Sequence, residues 1–156
     1  MNLIKLVFSI LFCFSAGAVG SIFTSSAIPD WYNHLRKPSF SPPNWVFGPV
    51  WSALYLMLGI AAWLVWSKGL SQPAVRKALI IFLIQLVLNA VWSFLFFGLR
   101  SPLYGLVDIL LLWAAILVTI GQFSKISVAA AALLIPYLLW VTFASGLNLG
   151  IWLLNK

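Results

Sequence analysis

Acidic side chains are almost missing from this chain: its 156 residues hold 2 aspartates or glutamates against 9 lysines and arginines, and charged residues make up only 7%. Both acids are aspartates, Asp30 and Asp108, while histidine and cysteine occur once each, as His34 and Cys13. Each shortage removes a class of chemistry. A lone cysteine supports no intrachain disulfide framework and leaves the redox compartment undefined. A metal centre needs several converging ligands, and these four residues are scattered along the chain. Nucleophilic catalysis needs a base beside a serine or cysteine; the only histidine lies next to Arg36 in a polar stretch, where a solvated loop position is the simpler reading. There is no Walker loop, dinucleotide fingerprint or pair of intramembrane carboxylates, so conventional hydrolase, ATPase and dehydrogenase chemistry has no support, and no cofactor is required.

What fills the chain instead is apolar and aromatic: 63% hydrophobic residues, 16% aromatic, and a mean hydropathy of +1.09. That composition lies far outside the soluble range and identifies an integral, multi-pass membrane protein. The net charge of +7 is not a nucleic-acid footprint, because the cations are spread over segment ends and short loops instead of gathered on one face. Lipid phosphates and anionic ligands are the partners such cations fit.

With about 20 residues needed to cross the hydrocarbon, the sequence divides into five spans over roughly 5–27, 45–67, 78–98, 103–122 and 127–154. Lys5, the apolar stretch after it and the small residues Ala16, Gly17 and Ala18 look like a cleavable leader. The apolar run continues to Phe23, however, which makes it long enough to span. Ala16 with Gly20, and Gly17 with Ser21, have the spacing of close helix packing. The connectors Ser67–Lys77, Leu99–Pro102 and Phe123–Ser127 are short, which predicts antiparallel neighbours and a compact all-α bundle forming one domain over 1–156. Orientation is weakly coded: Lys5, Lys68, Arg76, Lys77 and Lys125 share one side, Arg36, Lys37, Arg100 and Lys156 the other, with a lean to a cytoplasmic N-terminus in a bacterial cell membrane. An outer or organellar membrane stays open.

Between the first two spans lies WYNHLRKPSFSPPNWVFGPVW, residues 31–51. A structureless linker is poor in aromatics, whereas this one carries Trp31, Tyr32, Phe40, Trp45, Phe47 and Trp51. It is read as an ordered lid, with residues 28–45 closing a pocket in the bundle. Inside the spans, polar and aromatic residues recur at helical spacing: Trp51, Tyr55 and Leu58; Gln85, Asn89, Trp92 and Phe96; Tyr104 and Asp108; Trp140, Ala144, Leu147 and Asn148. Polar groups in lipid normally face protein or water, so these stripes point to one lined cavity. Two readings stay open for each. Asp108 either bonds a neighbouring helix or has a ligand or proton role; Asn89 and Asn148 either glue helices or touch a ligand; Trp51 and Trp140 are either pocket walls or core. Trp63, Trp66 and Trp152, near span ends, read as interfacial anchors. Pro136 should interrupt the fifth helix near residue 132, with a kink or a widened cavity as the result.

A basic, aromatic lid over an apolar cavity favours a flat, largely apolar ligand with an anionic edge. Tetrapyrroles such as porphyrin and haem answer that description: their rings stack on Trp and Tyr, and their carboxylates pair with Arg36, Lys37 or Arg100. A sterol would use the cavity but gain less from the cations.

The ordered run of motifs, from the lid with Ala53-Leu54-Tyr55 through QLVLNAVWSFLFFG at 85–98, GLVDILL at 105–111 and PYLLWVTFASGLN at 136–148, resembles the tryptophan-rich sensory protein and translocator protein (TspO/MBR, peripheral benzodiazepine receptor) family over nearly the whole chain. That resemblance implies five transmembrane helices, a homodimer, and a pocket under the first loop for porphyrins, haem, sterols and synthetic benzodiazepine-like ligands. It places Tyr32, Trp51, Asn89, Trp92, Tyr104, Asp108, Trp140, Ala144, Leu147 and Asn148 at or near the pocket, to which the stripes and lid add Trp45, Tyr55 and Phe96. The function expected is a membrane receptor or carrier, and no catalytic residue is assigned; if the chain acts on porphyrin with light and oxygen, as some bacterial relatives are linked to doing, Trp51 and Trp140 are the candidates. A small-molecule transporter is the remaining alternative, though the sequence shows neither inverted repeats nor paired broken helices. Two departures bear on ligand choice. The cholesterol-recognition pattern of animal members is altered here, with Trp152 and Lys156 following the Leu147-Asn148 pair, and Tyr104 and Ala90 replace other family aromatics.

Overall fold

The computed structural model describes residues 2–156, and these form six helices that make five crossings. They are α1 (Asn2–Asp30), α2 (Phe47–Trp66), α3 (Pro73–Ser93), α4 (Pro102–Ser124), α5 (Val128–Leu133) and α6 (Ile135–Asn155). About 85% of the chain is helical. Each crossing is apolar nearly all round, because lipid on one side and protein on the other are both apolar environments.

Helix ends depart from the sequence boundaries where proline acts. α1 runs past 27 to Asp30 even with Pro29 in its last turn: one donor is lost, yet the Trp31 N–H still closes onto the Ala27 carbonyl at 3.0 Å. The connector expected over 67–77 is shorter, since Pro73 starts α3 in the first-turn position where its missing N–H costs nothing. Pro136 does interrupt the fifth crossing, as a break at Leu134 between α5 and α6 with the proline again in a first turn.

Nothing in the hydropathy pattern marks how the third crossing ends. There Phe94–Gly98 forms a π-helical turn, with the Leu99 N–H bonding the Phe94 carbonyl five residues back at 2.8 Å. Phe96 and Phe97 are both buried by it, packed edge to face at 4.8 Å between ring centres. Arg100, in the tight connection that follows, is the only described non-glycine residue with positive φ (51°).

α1 packs on α2 and α3, α3 on α4, and α4 on α6. Without a hydrophobic drive between helices in lipid, close approach matters more than apolar character. α1 and α2 nearly touch at Gly59, where an added Cβ would stand 2.6 Å from the Ile10 Cα. Gly59→Val should therefore push α1 off α2 and cost about 1–3 kcal/mol, seen as a lower unfolding temperature in detergent by tryptophan fluorescence; an unchanged transition would show the two helices can separate freely.

Candidate functional site: a lidded chamber within the bundle

The lid is ordered by contacts along its whole length. After α1, Tyr32–His34 makes one tight turn and Asn44–Val46 another, leading straight into α2. Trp31 and Tyr32 lie against Phe96 and Phe97 with ring centres 5.5–6.5 Å apart, so the π-helical turn provides the seat for the start of the lid. Its middle is held to the end of α6. Asn155 accepts from the Arg36 N–H at 3.0 Å and donates to the Arg36 carbonyl at 2.8 Å, Phe40 meets Phe143, and Pro38 rests directly on Gly150, where no side chain could fit. The Asn44 amide, bonded to Asn33 at 3.0 Å, ties the two turns together.

Beneath the lid is a chamber of about 660 Å³. Of the residues singled out in the sequence, Tyr32, Trp51, Tyr55, Asn89, Trp92, Phe96, Trp140, Ala144, Leu147 and Asn148 all line it. Four separate stretches of chain thus converge on one hollow. Its amides are also the glue of the bundle. The Tyr55 hydroxyl donates to Asn89 Oδ1 at 2.6 Å, and Asn89 Nδ2 donates to the Tyr137 hydroxyl at 2.8 Å, joining α2, α3 and α6 at one point. Higher up, the Trp92 indole donates to Asn148 Oδ1 at 3.1 Å, while Asn148 Nδ2 donates to the Pro102 carbonyl at 2.7 Å and fixes the start of α4. These asparagines bond helices and also form part of the chamber wall. Trp51 stacks on Tyr55 (5.6 Å), and Trp140 meets Phe47 edge to face (5.9 Å). The Trp140 indole N–H has no acceptor among the described residues.

Other candidates lie off the chamber lining. Trp45 is 75% exposed and turns away from the chamber; Phe47, two residues on, takes the place on its wall. Tyr104 is 55% exposed on the outer side of α4, and Asp108 is buried without lining the hollow. Ile109 and Leu112 are the α4 residues that reach it, because a 40° offset per four residues carries Tyr104 round to the bilayer. Among the described residues Asp108 Oδ2 has no hydrogen bond, and Asp108 stands off the chamber. Gln85, one turn below Asn89, is likewise buried and off the wall, with both amide atoms unpartnered among the described residues. Among the cations, Arg36 is fixed to α6 through its backbone and Arg100 lies outside the chamber lining. Lys37 is close to it, with its ammonium 4.6 Å from the centre of the Tyr32 ring. Burial pushes the Tyr32 phenol above its ordinary value of 10, so the ring under Lys37 is neutral at physiological pH.

Sequence reasoning missed the contribution of α1. Gly17, Ala18, Gly20, Ser21, Thr24, Ser25 and Ile28 line the chamber, yet small residues on a membrane helix read first as packing positions. They do both, since Gly20 also lies against Ser93 of α3 and Gly17 against Tyr55. On α2, Gly48 and Ser52 complete this small-residue side, where the exposed Ala18, Ser21 and Ser25 stand opposite. Tyr137 was missed as well, its role resting on a bond to Asn89 that spacing along one helix cannot reveal.

Residues 9–153 match the model of the TspO/MBR family. The chain belongs to the TspO/MBR family. It is 48% identical over 155 residues to the tryptophan-rich protein TspO of Archaeoglobus fulgidus, covering 99% of both chains. It is 42% identical over 136 residues to the human translocator protein (86% of this chain, 80% of the other) and 35% identical over 148 residues to the tryptophan-rich sensory protein of Cereibacter sphaeroides (93% and 91%). With five helices able to cross a membrane, this family member is an integral membrane protein.

Two outcomes follow from the site's construction. Tyr137→Phe removes the hydroxyl that Asn89 Nδ2 bonds and should lower stability in detergent by about 0.6–2 kcal/mol without changing helical content by circular dichroism; no change would mean the amide finds another partner. Gly150→Leu should dislodge Pro38 and speed amide exchange over residues 36–40 while the crossings stay protected; equal exchange would show that the lid is not seated on α6.

Proposed function

We propose that this protein is a membrane receptor or carrier for tetrapyrroles, with the ring system held in the chamber below the lid. The observation that carries the reading is the convergence of Trp51, Trp140, Trp92, Tyr32 and Phe96 on one hollow of about 660 Å³. That volume is within the roughly 300–1,000 Å³ of small-molecule sites, and its walls are aromatic faces suited to a flat conjugated ring. Lys37, poised over Tyr32, is the cation best placed for a propionate, and Arg36 precedes it in the lid. Arg100 and Trp45 have no part in this arrangement, and Tyr104 and Asp108 make no direct contact in it. The unbonded indole N–H of Trp140 and the small-residue wall of α1 leave space and polarity unclaimed by the protein. A sterol or benzodiazepine-like ligand would use the same apolar hollow without the lid cation.

Protoporphyrin should quench the intrinsic tryptophan fluorescence on titration. Trp51→Phe and Trp140→Phe should each weaken binding by roughly two- to tenfold, the worth of about 0.5–1.5 kcal/mol per aromatic contact, and Lys37→Gln should weaken protoporphyrin more than an uncharged porphyrin ester. Unaltered affinity in all three variants would remove the ligand from this chamber.

A second reading, light- and oxygen-dependent breakdown of porphyrin, draws on Trp51 and Trp140 both standing on the wall where a bound ring would lie. Illumination of excess porphyrin with catalytic amounts of protein separates the two: a distinct product formed over many turnovers supports turnover, and stoichiometric bleaching supports binding alone.

A further inference from the structure

At the end of the bundle opposite the lid, a groove of about 410 Å³ lies between the start of α1, the end of α2 and the first half of α3. Phe8 and Phe12 form one side, Ile80 and Leu83 the other, and Trp66 with Leu70 closes the end. These side chains are aromatic or aliphatic, and most are well exposed, so the groove faces the bilayer. One charged group lines it. Arg76 is held in place by two bonds from a single guanidinium nitrogen, to the Leu70 carbonyl at 2.7 Å and the Ser71 carbonyl at 3.1 Å. A guanidinium has five N–H donors, and no other one of Arg76 meets an acceptor among the described residues.

The charge around this mouth has no internal answer. Lys5 stands 5.3 Å from the Trp66 ring centre, and Lys68 and Lys77 belong to the connector and helix start beside it. The chain's only acids are at the other end: Asp30 closes α1 under the lid, and Asp108 lies in the second turn of α4, which starts on the lid side. The cluster therefore presents its charge, and the unused donors of Arg76, to an anion from outside the chain. From Arg76 to Leu83 the groove descends roughly 10 Å along α3 at 1.5 Å per residue, from headgroup depth into hydrocarbon.

We propose that this groove is a binding site for an anionic phospholipid, its phosphate on the free donors of Arg76 and one acyl chain lying between Phe12 and Leu83. Guanidinium and phosphate match in a forked geometry that a zwitterionic lipid satisfies less well, because its own ammonium competes for the same phosphate and is repelled by Lys5 and Lys68. The site is separate from the lidded chamber and does not depend on what that chamber holds.

The full chain in detergent, given phosphatidylglycerol or phosphatidylcholine of the same acyl length, tests this by native mass spectrometry. The native protein should retain phosphatidylglycerol about fivefold better. Arg76→Gln should bring that ratio near one, Arg76→Lys should give an intermediate ratio, and Leu83→Trp should displace both lipids. Lys125→Gln, at the same end but away from the groove, should leave the ratio unchanged and shows that net charge alone is not being read. Equal retention of both lipids by the native chain, an unaltered ratio in Arg76→Gln, or an equal loss in Lys125→Gln would each overturn the proposal. Displacement of the lipid by glycerol phosphate at matched concentration would also overturn it, since the groove would then contribute nothing. Circular dichroism of each variant guards against misfolding, and Arg76→Lys keeps the test decisive if Arg76→Gln does not fold.

Discussion

The Asn89 amide, bonded by Tyr55 on one side and bonding Tyr137 on the other, is the interaction on which the rest of this bundle hangs. In lipid the outside of a helix is as apolar as its neighbours, so burial of leucine does not by itself choose which helices meet. A buried amide does choose, because leaving its donor or acceptor unpaired in hydrocarbon is costly. One such residue joins α2, α3 and α6 at the floor of the chamber, and Asn148 repeats the device near the lid by linking α3, α6 and the start of α4.

The lid has a different logic. It lies where backbone groups are near water and where aromatic residues settle readily, so its order comes from stacking on Phe96 and Phe97 and from a glycine-sized notch on α6. The π-helical turn at 94–98 supports both functions, since it seats the lid and presents Phe96 to the chamber. Extra-wide turns of this kind are often found at functional sites. At the far end the molecule has no lid and no acid, only a cationic mouth over an apolar groove, so the two ends offer chemically different surfaces.

Much of this was legible beforehand. Five apolar runs of spanning length, an aromatic interhelix segment, and the stripes through Trp51, Asn89, Trp92 and Trp140 are local or periodic signals that a helix must obey. Tyr104 and Asp108 show the limit of that reading. Four residues apart on one helix, they share a face only to within 40°, and on α4 this was enough to send one to lipid and the other into protein. Trp45 and Phe47 show it again, because which ring of a loop turns inward depends on where the loop is tied. The small residues of α1 signalled close packing and nothing of a pocket, and their place on the wall follows from space left by neighbours.

The sequence alone determined that this chain lives in a bilayer, crosses it five times, and carries a lid rich in aromatic rings, because hydropathy, length and helical period are properties of each segment by itself. Only the tertiary structure decided that α1 would form part of the chamber, that the third crossing would end in a π-helical turn, and that Arg76 would head a groove at the other end. Those outcomes depend on the relative rotation and height of helices, fixed by a few close contacts and buried hydrogen bonds between residues far apart in the chain.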